Sequence, residues 1–184
     1  MKDPKATELI LKFWFEDTEP KKWFKKDPNF DALIAERFGA LVERALAGRI
    51  DDWAAETDSC LALILLLDQF TRHMFRGMPK SFAGDEMALA LSLKASRFGW
   101  IENSKIMAHR KFFLMPMMHV EDLAIQDASL PLFQIFTDEN THRSAVLHRD
   151  IIARFGHFPH RNKILGRPST TEEIAFLKEP NSSF

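Results

Sequence analysis

The chain has 184 residues, 46% hydrophobic and 28% charged, with a formal net charge of −1. This is the composition of a folded globular chain; it excludes a disordered tail or a fibre, and the near-neutral balance argues against a general nucleic-acid binder. Twenty Leu and 19 Ala stand against 3 Val and no Tyr, so an all-α fold is expected before any periodicity is considered.

The first expected helix covers residues 5–15, with Ile10, Leu11, Trp14 and Phe15 at helical spacing. A charged, Pro-containing connector follows from Glu16 to Asp27, pinned to the core by Trp23 and Phe24. Asp27 is a candidate cap before Pro28, opening a helix whose stripe of Phe30, Leu33, Ile34, Phe38, Leu41, Val42 and Leu46 ends at Gly48. Thr57 or Asp58 caps the next helix, which runs to about Phe75. Its stretch from Leu61 to Leu67 is apolar at every position, so it should be enclosed on nearly all sides. Cys60 precedes that run and reads as a small buried hydrophobe.

Ser81 to Phe98 reads as a helix bounded by Gly99, and Ser104 caps a segment reaching Met118 that Pro116 should kink or end. A helix from about Glu121 to Phe136 is expected to be divided by Pro131. Asn140 or Thr141 opens another that closes at Gly156. Ser169 with Glu172, or Thr170 with Glu173, fits a capping box before a short last helix. Helices joined by short links imply antiparallel pairs in one domain over residues 1–184. A lone cysteine excludes an intramolecular disulfide framework, no leader pattern opens the chain, and no apolar run reaches the ~20 residues of a membrane span. A cytoplasmic protein without a membrane or nucleic-acid partner is expected.

Three groups of polar residues interrupt this apolar pattern. In LLLDQFTRHMFRG, Asp68, Gln69 and Arg72 fall within the enclosed helix, with Arg76 one turn further on. Asp68 and Arg72 are four apart and can pair on one helix face, since an unpaired buried charge is costly. They form either an internal ion pair or one wall of a polar pocket. In MHVED, His119 and Glu121 offer acid/base chemistry, while the absence of HExxH leaves no metal site expected. The stretch from Thr141 to Arg167 carries six Lys or Arg, four His and one Asp. Within it His148, Arg149, His160, Arg161 and Asn162 supply charged, directional donors suited to a carboxylate or phosphate.

The stretches LLLDQFTRHMFRG, FFLMPMMHVED and HRDIIARFGHFPHRNKILGR resemble those of the bacterial DUF924 family, from the FWF near the start to the TEEIAFL near the end. The resemblance implies a TPR-like α–α superhelix and brings no established reaction, substrate or cofactor. The family pattern reads DQFPRN, HSE and FGRFPHRN; here Thr71, His73, Val120 and His157 replace its Pro, Asn, Ser and Arg.

Two functions remain open. One is a binding or adaptor domain whose polar, Arg/His-rich pocket takes an anionic small molecule or a peptide carboxylate. The other is a small-molecule enzyme acting on an anionic substrate through His/Glu acid–base chemistry, with no cofactor implied. The first predicts an open groove with the carboxylate held by Arg72, Arg76 or Arg161, and the second predicts a closed pocket. Asp68, Arg72, His119, His148 and the His160–Asn162 loop are expected to converge on one polar cavity.

Overall fold

The computed structural model describes residues 3–183, and among these every regular element is helical. Asp3 accepts the Ala6 N–H and opens α1 (Pro4–Lys12), which continues as a π-helical turn over Phe13–Asp17. Asp27 accepts the Asn29 and Phe30 N–H groups and starts α2 (Pro28–Leu46), as the Asp-Pro pair predicts. Between them Trp23 is buried, but Phe24 is 55% exposed, so only the first of the two pins the connector.

Next come α3 (Thr57–Ile64), a π-helical stretch Leu65–Phe70 and α4 (Thr71–Met74), running on without a break. Glu56 occupies the cap position of α3 with no side-chain hydrogen bond, so neither Thr57 nor Asp58 caps it. Residues 60–71 are all buried, which makes this the central element. Burial pushes the Cys60 thiol up to about 12, leaving it protonated.

A 3₁₀ turn over Pro79–Phe82 displaces the expected helix start at Ser81, and α5 (Asp85–Arg97) begins after Gly84. There α5 closes directly onto the central helix, because a Cβ at Gly84 would overlap the Leu67 carbonyl oxygen. After α6 (Trp100–Asn103), α7 (Met107–His119) runs through Pro116 instead of ending there. The Ser92 hydroxyl donates to the Phe113 carbonyl at 2.5 Å, supplying a donor in the turn that the proline disturbs. Likewise α8 (Leu123–Phe136) continues past Pro131.

Asp138 caps α9 (Glu139–Phe155), and Gly156 ends it in the left-handed conformation, with φ of 73°. The short α10 (Asn162–Leu165) and α11 (Thr171–Phe176) complete the chain, the latter through a Thr170–Glu173 capping box. Consecutive pairs α7/α8 and α8/α9 pack side by side, while α5 and α7 flank the central helix. An aromatic centre of Phe13, Trp14, Phe30, Phe38, Phe70 and Phe112 fills the main core. A smaller cluster of Ile151, Ile152, Phe158 and Phe176 sits under the C-terminal loops. No helix among the described residues is long and apolar enough to cross a membrane.

Candidate functional site

The centre of the site is made by the π-helical stretch. A π turn carries its amide bonds one residue further back, leaving carbonyls for other donors. The Thr71 hydroxyl donates to the Leu67 carbonyl at 2.7 Å, and Arg72 Nη1 donates to the Asp68 carbonyl at 2.5 Å. Asp68 is thereby held in the core, 1% exposed.

Its carboxylate accepts from Gln69 Nε2 at 2.5 Å and from His119 Nδ1 at 2.7 Å, with Arg72 Nη1 at 3.1 Å. Burial alone would raise the Asp68 pKa; Arg72 and His119 outweigh it and hold the carboxyl below the usual range. An ionised carboxylate only accepts, so His119 carries its proton on Nδ1 and keeps Nε2 for other work. His119 is the last residue of α7, which places its ring at the edge of the core.

Asp85, at the first position of α5, is the residue sequence reasoning missed. Its carboxylate lies 2.9 Å from Arg72 Nη1, accepts from Arg72 Nη2 at 3.1 Å and accepts from Arg161 Nη1 at 3.3 Å. The signal available was Gly-Asp at a helix start, a pattern that reads first as capping. Arg161 also donates to the His119 carbonyl at 2.9 Å, so the C-terminal loop is tied to the end of α7. Its guanidinium sits between the rings of Phe82 and Phe158, at 4.7 and 4.5 Å from their centroids. Burial, with Arg72 nearby, lowers Arg161 to about 10, still cationic at neutral pH.

Two further imidazoles flank this group. The His148 ring lies 5.9 Å from that of His119, and its Nδ1–H donates to the Ser144 carbonyl at 2.7 Å. Burial, followed by repulsion from the His119 ring, pushes His148 down to about 3. Burial and then Arg161 push His160 down to about 4. Both rings are therefore neutral at physiological pH.

Glu121 and Asn162 brace the loop beside the cluster. Glu121 accepts from Arg167 Nη1 at 2.6 Å and from the Phe158 N–H at 2.8 Å. Arg167 Nε donates to Asn162 Oδ1 at 3.0 Å, and Asn162 Nδ2 donates to Ser169. Two other expected members lie elsewhere. The central helix stops before Gly77, and Arg76 turns away to Asp31 of α2, donating at 2.8 and 2.9 Å. Arg149 follows His148 by one position, about 100° around the helix, and faces Asp127 at 3.7 Å and Asp150 at 3.3 Å. Among the described residues no three His, Cys, Asp or Glu side chains are placed to hold one metal ion.

Three of the four departures from the family pattern acquire partners of their own. Thr71 bonds the Leu67 carbonyl as above. His73 meets Asp31 Oδ1 at 2.7 Å and the Trp23 carbonyl at 3.0 Å, and His157 meets Glu173 at 2.6 Å. Val120 ends α7 in an extended conformation.

The family model described as "Bacterial protein of unknown function" matches residues 10–181. The chain is similar to a solved structure, the protein of unknown function ATU0120 from Agrobacterium tumefaciens, at 39% identity with a TM-score of 0.87, covering 94% of this chain and 96% of that one. No curated protein matches. With the model spanning nearly its whole length, the chain belongs to the DUF924 family.

Proposed function

We propose that the protein is a small-molecule enzyme in which His119 moves a proton to or from an anionic substrate. The observation that carries this reading is the buried Asp68 carboxylate accepting the Nδ1–H of His119 at 2.7 Å. A carboxylate so placed fixes the tautomer and stabilises the imidazolium that forms when Nε2 takes a proton. Asp68 and Asp85 balance Arg72 and Arg161, so the group is neutral while its imidazoles are neutral. A proton gained by His119 then adds one positive charge, which suits a substrate carrying or developing one negative charge. Arg72 is the guanidinium with more exposed surface and the one best placed to meet that charge.

The peptide-docking alternative, with a TPR-like groove, has less support. Of its three carboxylate-holding candidates, Arg76 turns away from the cluster to Asp31 and Arg161 is only 8% exposed, so they do not line one open groove with Arg72. The setting proposed is the cytoplasm.

The test is turnover of a whole metabolite extract by purified protein, followed by mass spectrometry. Depletion of an anionic metabolite is expected, abolished by His119→Gln and strongly reduced by Asp68→Asn. An unchanged extract, or equal depletion by the two variants and the wild type, overturns the proposal.

A further inference from the structure

The connector between α1 and α2 carries the sequence Lys21-Lys22-Trp23-Phe24-Lys25-Lys26, and the structure separates its two aromatic residues. Trp23 is an anchor. Its Nε1 donates to the Trp14 carbonyl at 2.9 Å, its own carbonyl lies 3.0 Å from His73 Nε2, and its ring packs edge-on against Phe112. Phe24, the next residue, is turned outward with more than half its surface exposed. All four lysines around it are exposed.

The nearby carboxylates do not neutralise this patch. Glu19 pairs with Lys21, Asp17 pairs with Lys12, and Asp27 accepts the first N–H groups of α2. Among the described residues Lys25 and Lys26 have no carboxylate partner, and Lys22 has only a longer-range attraction to Glu19, which Lys21 already pairs. From α7, Lys111 places its ammonium 4.8 Å from the Phe24 ring centroid, its charge partly offset by Asp138. Met107, one helical turn before Lys111 and on the same face, is 53% exposed.

We propose that this surface docks the protein on an anionic lipid bilayer, with Phe24 and Met107 entering the interface and the lysines meeting headgroup phosphates. An exposed aromatic ring among flexible lysines suits a surface that is apolar within and anionic at its rim. Nucleic acid fits less well, because its phosphates would leave Met107 in water and no arginine stands in the patch to pair with them. Lying on a bilayer is a different requirement from spanning one, and the lack of a spanning run bears only on the second. The proposal departs from the sequence-based expectation of no membrane partner only as regards peripheral contact. The rigid anchoring of Trp23 also spares the ordering cost that a mobile loop would meet on docking.

The test is co-sedimentation of the full chain with vesicles of phosphatidylcholine alone and of phosphatidylcholine mixed with phosphatidylglycerol. Binding to the mixed vesicles at low salt, released at high salt and absent from phosphatidylcholine alone, is the expected result. The triple variant Lys22→Gln, Lys25→Gln, Lys26→Gln should lower partition by about a hundredfold, each lysine charge being worth roughly fivefold near such a surface. Phe24→Ser should weaken it severalfold and leave the salt dependence in place. Thermal unfolding should be unchanged in the lysine variant, whose side chains are exposed, and Phe24→Ser should remain folded at the assay temperature although its ring contacts with Trp23 and Phe112 are lost. No sedimentation of the wild type with mixed vesicles, equal binding to both vesicle types, undiminished binding by the variants, or binding to duplex DNA in place of vesicles each overturns the proposal.

Discussion

His119 and Asp68 stand 51 positions apart in the chain, and the Nδ1 of one lies 2.7 Å from the carboxylate of the other. The pair joins the end of α7 to the π-helical turn of the central helix, so it couples two elements of the core as well as two chemical groups. Removing the carboxylate strands the Nδ1–H of His119 and leaves Arg72 with Asp85 as its remaining carboxylate partner. Asp68→Ala should cost roughly 3–5 kcal/mol, as breaking a buried ion pair does, and Asp68→Asn should cost less because it keeps the shape and one acceptor. Urea unfolding reads this as a shift in midpoint at unchanged slope. The depressed pKa of Asp68 also sets a pH dependence. Its stabilisation is fully present above the unfolded carboxyl value of ~3.9 and is lost as pH falls further, through the folded value. The acid flank of the stability curve should therefore be shallower in Asp68→Asn.

His148 and His160 act at a higher pH. Their folded values, about 3 and about 4, lie below the unfolded imidazole value of ~6.5. Between those limits the unfolded chain binds protons that the folded chain does not. Stability is full above the unfolded value and declines as pH falls, by about 2 kcal/mol from the two groups together between roughly pH 6.5 and 5.5. His148→Leu should halve that decline, as read from urea midpoints across the range.

Arg76 and Arg161 test the boundary of the site. Arg76 is about one-third exposed and holds Asp31, so Arg76→Ala should cost about 1 kcal/mol or less. Arg161 is buried between two Phe rings and shares Asp85 with Arg72. Arg161→Ala should cost roughly 3 kcal/mol or more, since Asp85 loses a partner and the rings lose their filling. The ¹⁵N signal of His119 Nδ1 should move in Arg161→Ala and stay in place in Arg76→Ala. Equal responses in the two variants would place both arginines in one network.

The difference between these arginines marks where a sequence stops being legible. Helix periodicity and caps placed most elements, because Asp27, Thr170 and Gly156 act locally through the next few backbone groups. The i,i+4 spacing likewise foretold the Asp68–Arg72 pair. The same spacing misplaced Arg76, because the helix ends within that turn and the side chain follows a new direction. Pro116 predicts a kink or an end and Pro131 a division, while both prolines lie inside helices that continue past them. Asp85 gave no warning, since its role depends on Gly84 allowing a close approach between elements far apart in sequence.

That approach supplies the last prediction. The backbone of Gly84 has ordinary negative φ, so a side chain there is excluded by space and not by conformation. A Cβ would overlap the Leu67 carbonyl oxygen and lie 2.9 Å from Leu67 Cα, and both are backbone atoms that no rotamer change can move. Gly84→Ala must therefore push α5 away from the central helix. The cost should be about 1–3 kcal/mol or more, as for other overpacked positions. Because Asp85 is the next residue, the same shift draws its carboxylate off Arg72 and Arg161. The His119 Nδ1 signal should then move even under conditions where the variant is fully folded. Asp85→Asn separates the two effects: it weakens the arginine contacts without displacing the helix, so it should perturb the Arg161 Nε–H signal while preserving the apolar packing of α5. Wild-type stability and unshifted signals in Gly84→Ala would mean that the contact at Leu67 does not set the position of Asp85.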